Sequence, residues 1–176
     1  MITEDEPESV KLSLEESFSH YSMPLLFSIV PVFIGYDLIK YYINETHSGM
    51  RRPEEMVPIL LGSLVLVTIL YVIQRRGLKF KTIEVNTSDE EFQAALKETQ
   101  KKLRWVITKN REDTVKAKKK WDWTFSPGEI ITIHRLKDKV LINSICSLER
   151  PGTLVFMGRN RRNIATLERE LKKASA

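Results

Sequence analysis

The chain has 176 residues, with 28 Lys and Arg against 23 Asp and Glu, three His and one Cys, Cys146. A single cysteine excludes an internal disulfide and a cysteine-built metal site, and the length leaves room for one modest soluble domain beside about 50 residues of hairpin. The charge is divided unevenly: residues 1–74 hold 4 basic against 10 acidic side chains, a net of −6, which leaves 24 against 13, a net of +11, for residues 75–176. Such a basic half suits an anionic partner, although any one cluster is more often a solvated face.

Residues 1–22 form an acidic lead. Glu4, Asp5, Glu6, Glu8, Glu15 and Glu16 stand there against Lys11 alone. A secretory signal begins with a basic region, so the first apolar run is expected to remain as an anchor. Val10, Leu14, Phe18 and Tyr21 recur at helical spacing, but the stripe is short. A flexible lead is the expectation, with docking on the basic domain as the alternative.

Residues 23–74 read as a two-helix transmembrane hairpin, with spans at about 24–43 and 57–74. The apolar stretch 57–73 has no charge over its whole length. A helix of 17 to 20 residues extends roughly 26–30 Å, and lipid tolerates only a backbone satisfied within the segment. Pro31 lies inside the first span, while Pro58 is read as opening the second. Asp37 and Lys40 sit near the end of the first span beside Tyr36, Tyr41 and Tyr42, as an interfacial belt. Lys11, Arg75, Arg76, Lys79 and Lys81 outnumber Lys40, Arg51 and Arg52 around the loop, which puts both termini in the cytoplasm. The expected location is therefore the cell membrane, crossed twice.

Residues 77–176 are expected to form the basic cytoplasmic domain. Residues 78–86 read as a strand, and Ser88 followed by Glu91 is a capping box opening a helix with Phe92, Ala95, Leu96 and Leu103 on one face. Residues 104–110 return to strand. In 115–125 the alternation puts Val115, Ala117, Trp121, Trp123 and Phe125 on one face and Lys116, Lys118 and Lys120 on the other. A turn at 126–128 leads into two further strands, EIITIHR and VLINSIC, with Cys146 as a small packing residue. Residues 153–158 read as a last strand before a closing helix. The order β-α-β-β-β-β-β-α indicates a curved antiparallel sheet of α+β class, compatible with a helix-grip or a pleckstrin-homology-like fold.

Two groups of residues are candidates for binding. Arg159, Arg161 and Arg162 surround the expected start of the last helix, with Asn160 as its N-cap; cations there oppose the dipole unless an anion is bound. Their alternative is pairing with Glu129, Glu149 or the lead. Arg75, Arg76, Lys79, Lys81, Lys116, Lys118 and Lys120 are the candidates for contact with a membrane surface.

The segments VLINSIC and MGRNRRNIATLEREL resemble the end of an uncharacterised bacterial domain-of-unknown-function family, in which a strand is followed by a G-x-N-x-x-R/N-I helix start. The resemblance extends over roughly 88–173 and implies a fold rather than an activity. Asn143-Ser144-Ile145-Cys146 lacks the arginines usual in that family at this point.

No metal-ligand, P-loop, nucleophile-elbow or Rossmann pattern occurs, and no enzyme, metal or cofactor is expected. The sequence points to an integral membrane protein whose basic domain binds an anionic ligand or lipid surface, with no specific nucleic acid. The alternative is a structural or assembly subunit of a larger membrane complex, held by a protein partner.

Overall fold

The computed structural model describes residues 6–44, 52–111, 113–119, 128–148 and 157–175. The lead does not run free of the domain. Ser9 forms an antiparallel bridge with Lys79, the Val10 amide donates to Leu78 O at 3.0 Å, and the Phe80 amide donates to Glu8 O at 3.1 Å. Two ion pairs, Glu8–Lys79 at 3.0 Å and Glu6–Lys139 at 2.8 Å, hold the same stretch. Docking on the domain is thus the arrangement found for the described part of the lead. A short helix, α1 (Leu14–His20), follows, closed by a capping box between Ser13 and Glu16.

Helices α2 (Ser22–Asn44) and α3 (Pro53–Gly77) pack against each other, and both are long and apolar enough to cross a membrane. The second begins earlier than its apolar run suggests, because Pro53 occupies its first turn, where a missing N–H costs nothing. Pro58 therefore lies inside the helix rather than opening it. Residues 45–51 of the intervening loop lie outside the described residues.

Four residues after α3 the chain enters a five-stranded antiparallel sheet. Its strands are β1 (Lys81–Glu84), β2 (Val106–Arg111), β3 (Thr114–Lys119), β4 (Glu129–Arg135) and β5 (Lys139–Cys146), in spatial order β1-β5-β4-β3-β2. Helix α4 (Asp89–Leu103) connects β1 to β2 across the sheet, and α5 (Met157–Ala174) ends the chain. Both cover one face. Ile83, Val115, Ile131, Ile133 and Ile142 from the strands meet Phe92, Leu96, Leu167 and Leu171 from the helices, all at most 3% exposed. The α+β class follows from this layering, with an open antiparallel sheet and its helices on one side.

The register β3 Lys119, β4 Glu129, β5 Cys146 marks one end of the sheet, and α1 and α3 meet it there: Ser19 Oγ donates to Leu148 O at 2.6 Å. On the face away from α4 and α5, Phe80 reaches over β5 with its ring edge-on to His134 of β4, and Leu141 and Ile145 are buried. The β2–β3 half of that face stays open, with Lys109, Arg111 and Lys116 exposed.

Three boundaries depart from the sequence reading. Arg104, expected in a strand, instead stops α4 in the left-handed region with φ 57°, and β2 starts at Val106. Strand β3 ends at Lys119, and the tryptophan-bearing continuation falls outside the described residues. Met157 and Gly158, read as the end of a sixth strand, belong to α5, while 153–156 lie outside the described residues. The β-forming pattern there yields to tertiary contacts, since the longer helix carries Asn160 and Asn163 onto the sheet.

Candidate anion-binding crevice

The joint between hairpin and domain is built from polar side chains. His20, at the end of α1, is 9% exposed, and its Nε2–H donates to Gln74 O in the last turns of α3 at 3.0 Å. Burial pushes the imidazole below its usual range, outweighing the opposing effect of that bond. On β5, Asn143 is 2% exposed, and its Nδ2 donates to Gly77 O at 2.8 Å and to Lys79 O at 2.9 Å. These carbonyls lie just where α3 stops, so one amide group satisfies the end of the helix and orients the turn after it. Asn143 Oδ1 has no partner among the described residues.

Beneath α5 runs a buried polar chain. Asn163 Nδ2 donates to Glu129 Oε2 at 2.8 Å and to Ser144 Oγ at 2.9 Å; Ser144 Oγ in turn donates to Asn160 Oδ1 at 3.1 Å. The Trp105 indole N–H donates to Asn163 Oδ1 at 3.4 Å. Hydrogen bonding makes this burial tolerable, and it fixes the rotation of α5 against the sheet.

Asn160 is therefore not the N-cap. It lies in the first turn of α5 with its side chain in the polar chain, and Arg161 and Arg162 are exposed beside it. Arg159 stands in the same turn of backbone helix. Glu129, considered as an arginine partner, accepts from Asn163. Arg161 and Arg162 line different hollows: Arg161 a crevice against α3, Arg162 a separate one shared with Lys102 and Leu103 of α4.

That crevice, of about 380 Å³, is bounded by Ile73, Arg76 and Gly77 of α3, Lys79, Asn143 and Ser144, and Asn160, Arg161 and Ile164 of α5. It brings members of both candidate groups together. Arg76 and Lys79 come from the membrane-surface set, Asn160 and Arg161 from the anion set. Lys79 shares its charge with Glu8, whose carboxyl is held below the usual range first by the hydrogen bond from Lys79 and then by its charge. Neither Arg76 nor Arg161 has an ion-pair partner among the described residues.

The other candidates are dispersed. Arg75 is exposed in the last turn of α3 and acts on Glu8 through its charge. Lys81 is tied to Glu168 of α5 at 2.7 Å, and Glu168, bonded by Lys81 and Lys172, titrates below its usual range. Lys116 and Lys118 stand on the open face of β3, three strands or roughly 14 Å from β1. Lys120 lies outside the described residues.

The sequence reading missed Asn143, Ser144 and Asn163. Their signal was present, as two polar residues in the otherwise apolar VLINSIC and an Asn at i+3 from Asn160, but nothing in spacing alone joins a strand to a helix end. No cluster of His, Cys, Asp or Glu among the described residues is arranged to hold a metal ion. No protein-family model, curated protein or solved structure matches this chain.

Proposed function

We propose that the protein is an integral membrane protein of two spans whose basic α+β domain rests on the cytoplasmic bilayer surface as a membrane-anchored module for anionic headgroups. The observation that carries this reading is how α3 ends. Its apolar run reaches Ile73 and passes within one turn of the same helix into Arg75 and Arg76, with Lys79 immediately after. That order fits a helix leaving hydrocarbon and entering a headgroup layer.

Exposure of the hairpin supports the same reading. Val32, Phe33, Leu61 and Val65 are between 58% and 66% exposed, whereas a helix buried in a soluble protein covers such side chains. With 22 and 25 residues, the two candidate spans are about 33 and 37 Å long, enough for a hydrocarbon core of about 30 Å. The basic excess on the side of the termini favours the cytoplasm for both.

Spanning is tested by alkaline carbonate extraction of membranes that contain the full chain, which should leave it in the pellet; release into the supernatant defeats the reading. Sidedness is tested with Ser48→Cys in a Cys146→Ser background. An impermeant maleimide should label intact cells from outside, and labelling only after lysis would reverse the topology. Full chain in anionic nanodiscs should unfold at higher temperature than in zwitterionic ones at low salt, and equal melting would remove the headgroup role.

A further inference from the structure

The geometry points to the crevice between α3, β5 and α5 as a discrete site for the phosphodiester of one anionic phospholipid. The proposal rests on the two-span reading above and adds a defined pocket to it. Arg76 and Arg161 come from separate helices, line one crevice, and have no ion-pair partner among the described residues. Two guanidiniums that line one crevice without an ion-pair partner leave a positive potential there, and each offers paired donors suited to phosphate. Lys79 stands at the rim with its charge shared with Glu8, and the N-terminal end of α5 contributes its positive dipole end.

One further feature selects a lipid over free phosphate. Ile73 and Ile164 form part of the wall, and Ile73 is the last apolar residue of the α3 run, so the crevice is continuous with the surface along which an acyl chain would lie. Asn143, 2% exposed, closes the inner wall of the crevice with its Oδ1 out of reach of solvent, so a ligand is held by the cationic rim and the apolar wall.

The test uses the full chain in zwitterionic detergent micelles doped with phosphatidylglycerol, read by native mass spectrometry and by thermal melting. The wild type should retain one phosphatidylglycerol and melt higher with it, whereas the same concentration of inorganic phosphate or glycerophosphate should move the melt little. Arg76→Gln with Arg161→Gln should lower retention roughly thirtyfold, from about a fivefold loss for each surface cation. Lys109→Gln with Arg111→Gln, on the far edge strand β2, should retain the lipid.

Equal stabilisation by inorganic phosphate would overturn the lipid assignment. Unchanged retention in the double arginine variant, with a melt still higher in anionic than in zwitterionic nanodiscs, would overturn the site and leave the surface reading standing. Absence of any anionic preference in the wild type would overturn both. Each variant's melt without lipid is the folding control; should the glutamines prove unstable, Arg76→Lys with Arg161→Lys keeps charge but loses the paired donors, and is expected to bind with intermediate strength.

Discussion

Asn143 carries more of the architecture than its size suggests. Its Nδ2 serves two carbonyls, one belonging to the last residue of α3 and one to the turn before β1. Asn143→Ala leaves both without that donor in a site almost closed to water, and an unsatisfied buried group costs about 1–3 kcal/mol. Asn143→Asp should be worse than alanine, because it presents a carboxylate oxygen to two acceptors. Thermal melts in detergent followed by near-ultraviolet circular dichroism give the order; aspartate more stable than alanine would refute it. His20 makes a second test at this scale. Its imidazole titrates below the usual 6.5 because burial disfavours the charged form, so the folded chain binds fewer protons here than the unfolded one. The stabilisation is complete above about pH 6.5 and is lost as pH falls through the folded value. His20→Gln should flatten that part of the stability profile; an unchanged acid limb would place the titration elsewhere.

Helix α4 was legible in full, since Ser88 and Glu91 are both the signal and the structure: Ser88 Oγ accepts from Glu91 N at 3.2 Å, and the Glu91 carboxylate takes the Ser88 N–H at 2.8 Å. Ser88→Ala should cost about 1 kcal/mol, measured as a shift in unfolding midpoint at constant slope. The long apolar helices were legible too, because the length and apolar character of a run are local properties. The lead was not. Its pairing joins residues 8–10 to residues 78–80, and no periodicity in an acidic stretch announces an edge partner some 70 positions away. The start of α5 was misread for a related reason, since Thr-Leu-Val-Phe favours strand locally while the polar chain through Asn160 and Asn163 is a contact between elements. Within the crevice, Arg76, Lys79, Asn160 and Arg161 were recognised as basic or capping residues, but their meeting depends on how β5 places α5 beside α3. Deletion of residues 1–10 should abolish slow hydrogen exchange at the Phe80 amide, whose acceptor is Glu8 O. Persistent protection would mean that Phe80 is shielded without the lead.

Over the whole molecule part of the charge split becomes an internal contact, with residues 6–10 of the acidic lead paired to the basic domain. Two of its visible pairings, Glu8–Lys79 and Glu6–Lys139, lie at the surface, where ion pairs contribute little individually and are screened. Raising salt from about 0.1 to 1 M shortens the screening length from about 10 to 3 Å. Exchange at the Val10 and Phe80 amides should then accelerate together, while the Leu141 and Ile142 amides in mid-sheet stay slow. Uniform behaviour of all four would show that the lead is held by backbone pairing rather than by charge. Lys116 of β3 is two strands, roughly 10 Å, from Asn143 in the crevice wall, whereas Lys109 of β2 is three strands, roughly 14 Å, from β5, well beyond one screening length at physiological salt, and should act independently of the crevice.

The passage from α3 to β1 has no hinge. Between Gly77 and Lys81 the chain is gripped from β5 by Asn143, from the lead by Ser9, Glu8 and Val10, and from α1 by His20 on the preceding turn. With the hairpin in a bilayer as proposed, the span and the sheet turn as a single lever. A helix about 37 Å long tilts further when the bilayer is thinner, and here that tilt cannot be absorbed at the membrane surface. Bilayer thickness therefore sets the attitude of the domain, and with it which edge of the sheet is presented to whatever stands above the membrane.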